Sequence, residues 1–84
     1  MNVEKAREVY RNNDYPEVEG HHLVNGINIL RKYRGYEKYN YQFEHDQMWF
    51  LDFEETVRQM TEEEVKMLFG LGWFEDEDSW SLFS

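Results

Sequence analysis

The groups in this 84-residue chain that could do chemistry are three histidines, three serines and eighteen carboxylates; there is no cysteine. His21 and His22 are adjacent, so on a helix they point about 100° apart and cannot share a metal ion, unlike the i, i+4 histidines of a zinc-binding helix. His45 stands beside Asp46 with no further ligand at a fixed offset. The serines, Ser79, Ser81 and Ser84, cluster at the end of the sequence, and none lies in a Gly-x-Ser-x-Gly turn. Gly70-Leu71-Gly72 lacks the further glycines or lysine of a phosphate-cradling loop. The acidic run 75–78 lacks the central glycine and terminal glutamate of a calcium loop. A carboxyl acting as general acid needs a pocket that raises its pKa, and a chain this short has little volume to spare beyond its core. These features read as a protein that is not an enzyme and uses no metal and no cofactor.

Charge carries more information. The formal net charge is −9 and its distribution is uneven. Residues 1–43 sum to +1, whereas 44–84 hold twelve acids against Arg58 and Lys66, net −10. Such a half-chain repels nucleic acid and anionic membrane and attracts basic surfaces. The candidate partner-binding set is therefore Asp46, Asp52, Glu54, Glu55, Glu62, Glu63, Glu64, Glu75, Asp76, Glu77 and Asp78. Duplex DNA carries one charge per ~1.7 Å of axis, so twelve carboxylates match about 20 Å of duplex. A domain of this length has a diameter of about 30 Å, so one face has room for them. Trp80, and with it Trp73, joins the set as an aromatic anchor if its ring is exposed, since tryptophan is enriched among interface hot spots; wholly buried, either is core. The opposite feature is the segment 31–41, where tyrosines interleave with Arg31, Lys32, Arg34 and Lys38 in the manner of a single-strand grip. Its plainer reading is a helix end followed by a strand.

The elements that position these groups follow from spacing. Asn2 caps a first helix that carries Val3, Ala6, Val9 and Tyr10 on one face. Asn12-Asn13-Asp14-Tyr15-Pro16 stops it. Leu23, Ile27 and Leu30 predict a second helix over about 17–34, with Gly35 as its C′ residue; Gly20 and Gly26 weaken it, and a short strand over 26–30 is the rival. From Tyr39 to His45 aromatic and polar residues alternate, the mark of a half-buried strand. A turn at 45–47 leads to a second strand over 48–53. Thr61 and Glu64 form a capping box, with Met60 and Val65 at the staple positions. Val65, Leu68 and Phe69 face inward, and Gly70 or Gly72 ends this helix. Trp80 and Leu82 alternate in a final strand, with the acids 75–78 as the exposed connection to it. The expectation is one α+β domain over 1–84, in the order α-α-β-β-α-β, with helices on one face of a short antiparallel sheet. Fifteen aromatic residues supply its core. The N-terminal residues lack the apolar stretch of a signal peptide, and no apolar run reaches the length of a membrane span.

The ending Leu71-Gly72-Trp73, then 75–78, Ser79-Trp80 and Phe83, resembles the C-termini of small acidic orphan proteins encoded by bacteriophages, of the anti-CRISPR and anti-defence type. The resemblance covers residues 60–84. It implies a stoichiometric inhibitor in the host cytoplasm that docks an acidic face on the basic surface of a host protein or ribonucleoprotein, occluding a nucleic-acid site by DNA mimicry. No catalytic residue carries over. The alternatives are a nucleic-acid-binding or regulatory module using 31–41, and a virion accessory protein.

Overall fold

The computed structural model describes residues 1–33, the backbone of 42–44, and 46–83. Among these described residues there are four helices and four strands: α1 (Val3–Arg11), α2 (His22–Leu30), β1 (Gln42–Glu44), β2 (Gln47–Asp52), α3 (Phe53–Gln59), α4 (Glu62–Gly70), β3 (Phe74–Asp76) and β4 (Ser79–Phe83). The strands form one antiparallel sheet in the order β1-β2-β4-β3. The expected α+β class holds. The molecule measures 28 × 25 × 21 Å, close to the diameter expected from its length.

Each helix starts at a side-chain acceptor. Asn2 accepts from Lys5 N, His21 Nδ1 from Val24 N, Asp52 from Glu55 N, and Thr61 forms the expected capping box with Glu64. Two helices end in Schellman motifs. After α1, Asn13 (φ 52°) donates to Tyr10 O, and Asp14 N donates to Val9 O. After α4, Gly72 (φ 97°) donates to Phe69 O, and Trp73 N donates to Leu68 O.

α2 begins at His22, later than the expected 17. Gly20 has φ 127°, outside helical space, and Val18 N donates to Gly70 O, which holds 16–19 as an extended strap along α4. Gly26 lies within α2 for a packing reason: a Cβ there would overlap the indole of Trp73. The rival strand over 26–30 is not formed. Gly35 and the residues 39–41 and 45 lie outside the described residues.

The second strand stops one residue short of its expected end, because Phe53 opens α3, a helix the expected order lacks. Leu51 (φ 61°) is the extra residue of a bulge between Phe50 and Asp52. A bulge bends a strand and re-aims its side chains. Here it turns the chain into α3 and keeps Phe50, Leu51 and Phe53 all in the core. β3 is the second added element, pairing with β4 so that Glu75 and Asp76 are strand residues.

The core lies between the helices and the β2–β4 face that carries Met48, Phe50, Trp80 and Leu82. Trp73 and Trp80 are both fully buried. Trp80 packs at a tilt against Phe53 and Phe69, with ring centroids 4.7 and 5.5 Å away. Its indole donates to Thr56 Oγ1 (2.8 Å), whose own proton goes to Asp52 O (2.7 Å). The buried indole N–H is thereby paired, as burial of a polar group requires.

Candidate functional site: an acidic end at the β3–β4 turn

Glu77 (φ 50°) and Asp78 (φ 65°) are the two central residues of the hairpin that joins β3 to β4. Left-handed backbone at both positions is what a type I′ turn demands, and that turn matches the twist of paired strands. Glutamate and aspartate lack the freedom of the Asn-Gly pair that usually fills it. The turn is fastened to α3, because Phe53 N donates to Asp78 O at 2.8 Å and Asp52 pairs with Ser79. This seats the turn beside Asp52, Glu54 and Glu55 at the start of α3, with Glu75 and Asp76 on β3 completing the group.

The seven carboxylates are not equivalent. Arg7, from α1, reaches between them. Its Nε donates to Glu75 Oε1 (2.9 Å) and its Nη2 to Glu75 Oε2 (2.8 Å), a bidentate fork. The same guanidinium lies 3.0 Å from Glu4 and 3.6 Å from Glu54, and 5.9 Å from the centre of the Phe53 ring. The hydrogen bonds that Arg7 donates to Glu75 hold the Arg7 pKa above its ordinary value. Arg58 adds a looser contact to Glu54 at 3.6 Å. Asp76 accepts from Gln47 Nε2 (2.8 Å) and Trp49 Nε1 (3.1 Å), neutral donors that orient the carboxylate without cancelling its charge. Asp52 is spent as the α3 cap. Glu55, Glu77 and Asp78 are exposed, and no cation meets them among the described residues. Among the described residues two arginines stand against these seven acids, so this group carries a net negative charge and its outermost acids meet no cation there.

The other expected residues lie elsewhere. Glu62, Glu63 and Glu64 follow the far end of α3, whose seven residues span about 10 Å, and two of the three are engaged. Glu62 meets Lys5 (3.1 Å) and Lys66 (3.5 Å), with Lys5 foremost in lowering its pKa. Glu64 accepts from Lys32 Nζ (2.8 Å), from the Tyr33 hydroxyl and from Thr61 N (3.1 Å). Partial burial opposes its charge, but these three donors outweigh it and hold the carboxyl at about 2. The same contact to Glu64 pushes the Tyr33 phenol up to about 12. Asp46 sits in the turn at the opposite end of β2 from Asp52 and lies apart from both groups. Trp80 is a correction: its ring is core and presents nothing to a partner. The exposed connection at 75–78 is corrected too, since Glu75 and Asp76 are half-buried strand residues and only Glu77 and Asp78 form the turn.

Sequence reasoning missed the cation. Arg7 lies 68 residues from Glu75, and nothing local ties them. It also missed Gln47 and Trp49, which orient Asp76. Of the basic, tyrosine-rich segment, Lys32 and Tyr33 are both engaged with Glu64, and 34–41 lie outside the described residues. Ser79 and Ser81 are buried and donate to Leu51 O and Met48 O, both at 2.9 Å. Among the described residues, no group of three histidine or carboxylate side chains is placed to hold a metal ion, and no helix is long and apolar enough to cross a membrane. The chain matches no family model, no curated protein and no solved structure.

Proposed function

We propose that this protein is a stoichiometric, non-catalytic inhibitor that docks its acidic end on a lysine- and arginine-rich surface of a nucleic-acid-binding host protein. The anti-defence, anti-CRISPR-type role implied by the ending of the sequence is the biological form of this reading, and a host nuclease complex in the cytoplasm is the partner it calls for. The observation that carries it is the β3–β4 turn. Two adjacent carboxylates are held in a strained backbone conformation at the tip of a hairpin that is itself fastened to α3. Asp52 and Asp76 stand oriented behind them, and Arg7 is engaged with Glu75 instead of with the turn. Charges fixed on rigid elements meet a partner without paying the ordering entropy that flexible side chains lose on binding. They also raise the rate of encounter with an opposite charge.

The test begins with affinity capture from host lysate and identification of the captured protein by mass spectrometry. Binding is then measured in rising salt for the wild type and for the triple variant Glu55→Gln, Glu77→Gln, Asp78→Asn. Affinity is expected to fall steeply with salt and by at least ten-fold in the variant, and saturating protein is expected to displace nucleic acid from the partner. A captured partner that keeps its nucleic acid, or binds the triple variant equally well at every salt concentration, overturns the reading.

A further inference from the structure

We infer that the face of the sheet opposite the core is an arginine-binding surface, on which a partner's guanidinium lies flat over Phe74 and Phe83 and meets the carboxylate of Asp76. Alternation along the strands divides the sheet into two faces. Met48, Phe50, Trp80 and Leu82 turn to the core. Gln47, Trp49, Ser81 and Phe83 therefore turn the other way, and the register of β3 on β4 adds Phe74 and Asp76 to them. Side-chain contacts make this one continuous group. The rings of Phe74 and Phe83 stack, with centroids 5.1 Å apart and planes at 28°. Gln47 Nε2 donates to Ser81 Oγ (2.7 Å) and to Asp76 Oδ2 (2.8 Å), and Trp49 Nε1 donates to the same Oδ2 (3.1 Å). Phe83 is 63 % exposed, and Phe74 and Trp49 are half-buried.

Charge selects the occupant. Both neutral donors reach one oxygen of Asp76, and among the described residues Oδ1 has no donor. Glu77 and Asp78 follow at once on the turn, and among the described residues no cation pairs with any of the three; the arginines of this end are engaged with Glu54 and Glu75. An aromatic strip thus ends in three carboxylates. The phosphates of a nucleic acid would be repelled there. A wholly apolar guest would bury the Asp76 carboxylate without a counter-charge. A guanidinium suits both parts, because it is planar, stacks on aromatic faces and donates in a fixed fork to a carboxylate, whereas an ammonium has no plane to stack. Phe74 and Asp76 are two residues apart on one strand, about 7 Å, so a single guanidinium over the ring reaches the carboxylate. The inference deepens the proposed function and rests on it for the source of the arginine, the basic surface of the partner.

The experiment is a chemical-shift titration of the full chain with three blocked tripeptides, glycine-arginine-glycine, glycine-citrulline-glycine and glycine-lysine-glycine. Citrulline has the shape of arginine without its charge. The arginine peptide is expected to shift the Trp49 indole N–H and the Phe74 and Asp76 amides together, and to bind about five-fold more tightly than either of the others. Its affinity is expected to fall about five-fold in Asp76→Asn, which keeps an acceptor for Gln47 and Trp49, and measurably in Phe83→Leu, an exposed position. Glu63→Gln, on α4, is expected to leave it unchanged. Equal binding of the citrulline or lysine peptide, no loss in Asp76→Asn and Phe83→Leu, or an equal loss in Glu63→Gln overturns the inference. Circular dichroism of each variant checks that the fold is retained. The captured partner separates this inference from the reading it rests on. A partner that loses affinity for the triple variant of the turn but not for Phe83→Leu overturns the aromatic site and leaves the proposed function standing. A partner that keeps its nucleic acid, beside a chain that binds the arginine peptide as described, overturns the proposed function and supports the site.

Discussion

Two acidic groups stand at opposite ends of α3, and the protein uses them differently. Glu62, Glu63 and Glu64 open α4, where negative charge favours the helix dipole. Two of them are tied to lysines, and Glu64 is locked by three donors. At the β3–β4 turn, Arg7 takes Glu75 and reaches Glu54, while Glu55, Glu77 and Asp78 face solvent without a cation among the described residues. The runs Glu-Glu-Glu and Glu-Asp-Glu-Asp look alike in one dimension. In three dimensions Glu62 and Glu64 of the first are neutralised by lysines, whereas Glu77 and Asp78 of the second sit in left-handed backbone with no cation among the described residues, the arrangement that the proposed binding role calls for.

The comparison breaks first at Glu64. Glu64→Ala removes the glutamate half of the capping box, the Lys32 ion pair and the Tyr33 hydrogen bond together. The Thr61 cap survives, because the backbone N–H of residue 64 still donates to Thr61 Oγ1; hydrogen bonds to a charged group contribute about 1.5–3 kcal/mol, so a loss of about 2–3 kcal/mol is expected in urea denaturation. Glu77→Gln, by contrast, should stay within about 0.5 kcal/mol of wild type. Equal effects at the two positions would erase the distinction.

Acid sharpens it. The Glu64 carboxyl sits at about 2 in the folded chain against an ordinary value of 4.5. A depressed folded pKa means stability that is fully present above pH 4.5 and lost as the pH falls from there toward 2. Through this window the wild type should lose on the order of 2 kcal/mol that Glu64→Gln does not lose. The measurement is the difference in unfolding free energy between pH 6 and pH 3 for the two proteins. Parallel profiles would mean that the Lys32 and Tyr33 contacts do not hold the charge.

How far the sequence foretold this arrangement depends on how local the cause was. Thr61 and Glu64 announced the start of α4, because a capping box is written in four consecutive residues. Asp52 and Glu55 carry a related signal, an N-cap acid with a glutamate three residues on. Phe53, Thr56, Val57 and Met60 follow at helical spacing, so α3 was legible as well. It was overlooked because Met48 to Phe53 reads as one apolar run, and the bulge at Leu51 that divides strand from helix leaves no mark in composition. β3 is three residues long and two of them are acidic, below what periodicity detects. The acids of the candidate site were legible as residues but not as a set. Arg7 comes from the opposite end of the chain and decides which of them is neutralised. The burial of Trp80 follows from its pairing with Phe50 across β2 and β4, a register that alternation alone does not supply.

Arg7 is the cation that forks Glu75 at the acidic end, and its removal tests that end directly. Arg7→Gln leaves Glu4, Glu54 and Glu75 facing one another without the fork between them. The side chain is about one-third exposed and Glu75 about one-quarter, so the loss should be about 1–2 kcal/mol, more than a surface pair and less than a fully buried one. It should shrink by about half in 0.5 M salt, where repulsion among the bared acids is screened. A loss that salt leaves untouched would assign the role of Arg7 to its packing on Phe53 instead of its charge.

The smallest expected effect has the opposite sign. Replacing Glu77 and Asp78 by Asn-Gly supplies the residues that a left-handed two-residue turn prefers and removes two repelling charges. Non-glycine residues cost roughly 1–2 kcal/mol each in this backbone region, less for aspartate and asparagine. Part of that returns as the greater freedom of glycine in the unfolded chain. A net gain of about 1 kcal/mol in thermal or urea unfolding is expected. The same variant should lose affinity for the captured partner, because the charges it deletes are the outermost of the acidic end. A protein that becomes more stable as it binds less well would show that the turn keeps unfavourable residues for the sake of contact. Were the variant instead more stable with binding unchanged, the strained acids at the tip would have no part in recognition, and Glu55 with the α3 side of the cluster would be left to carry it.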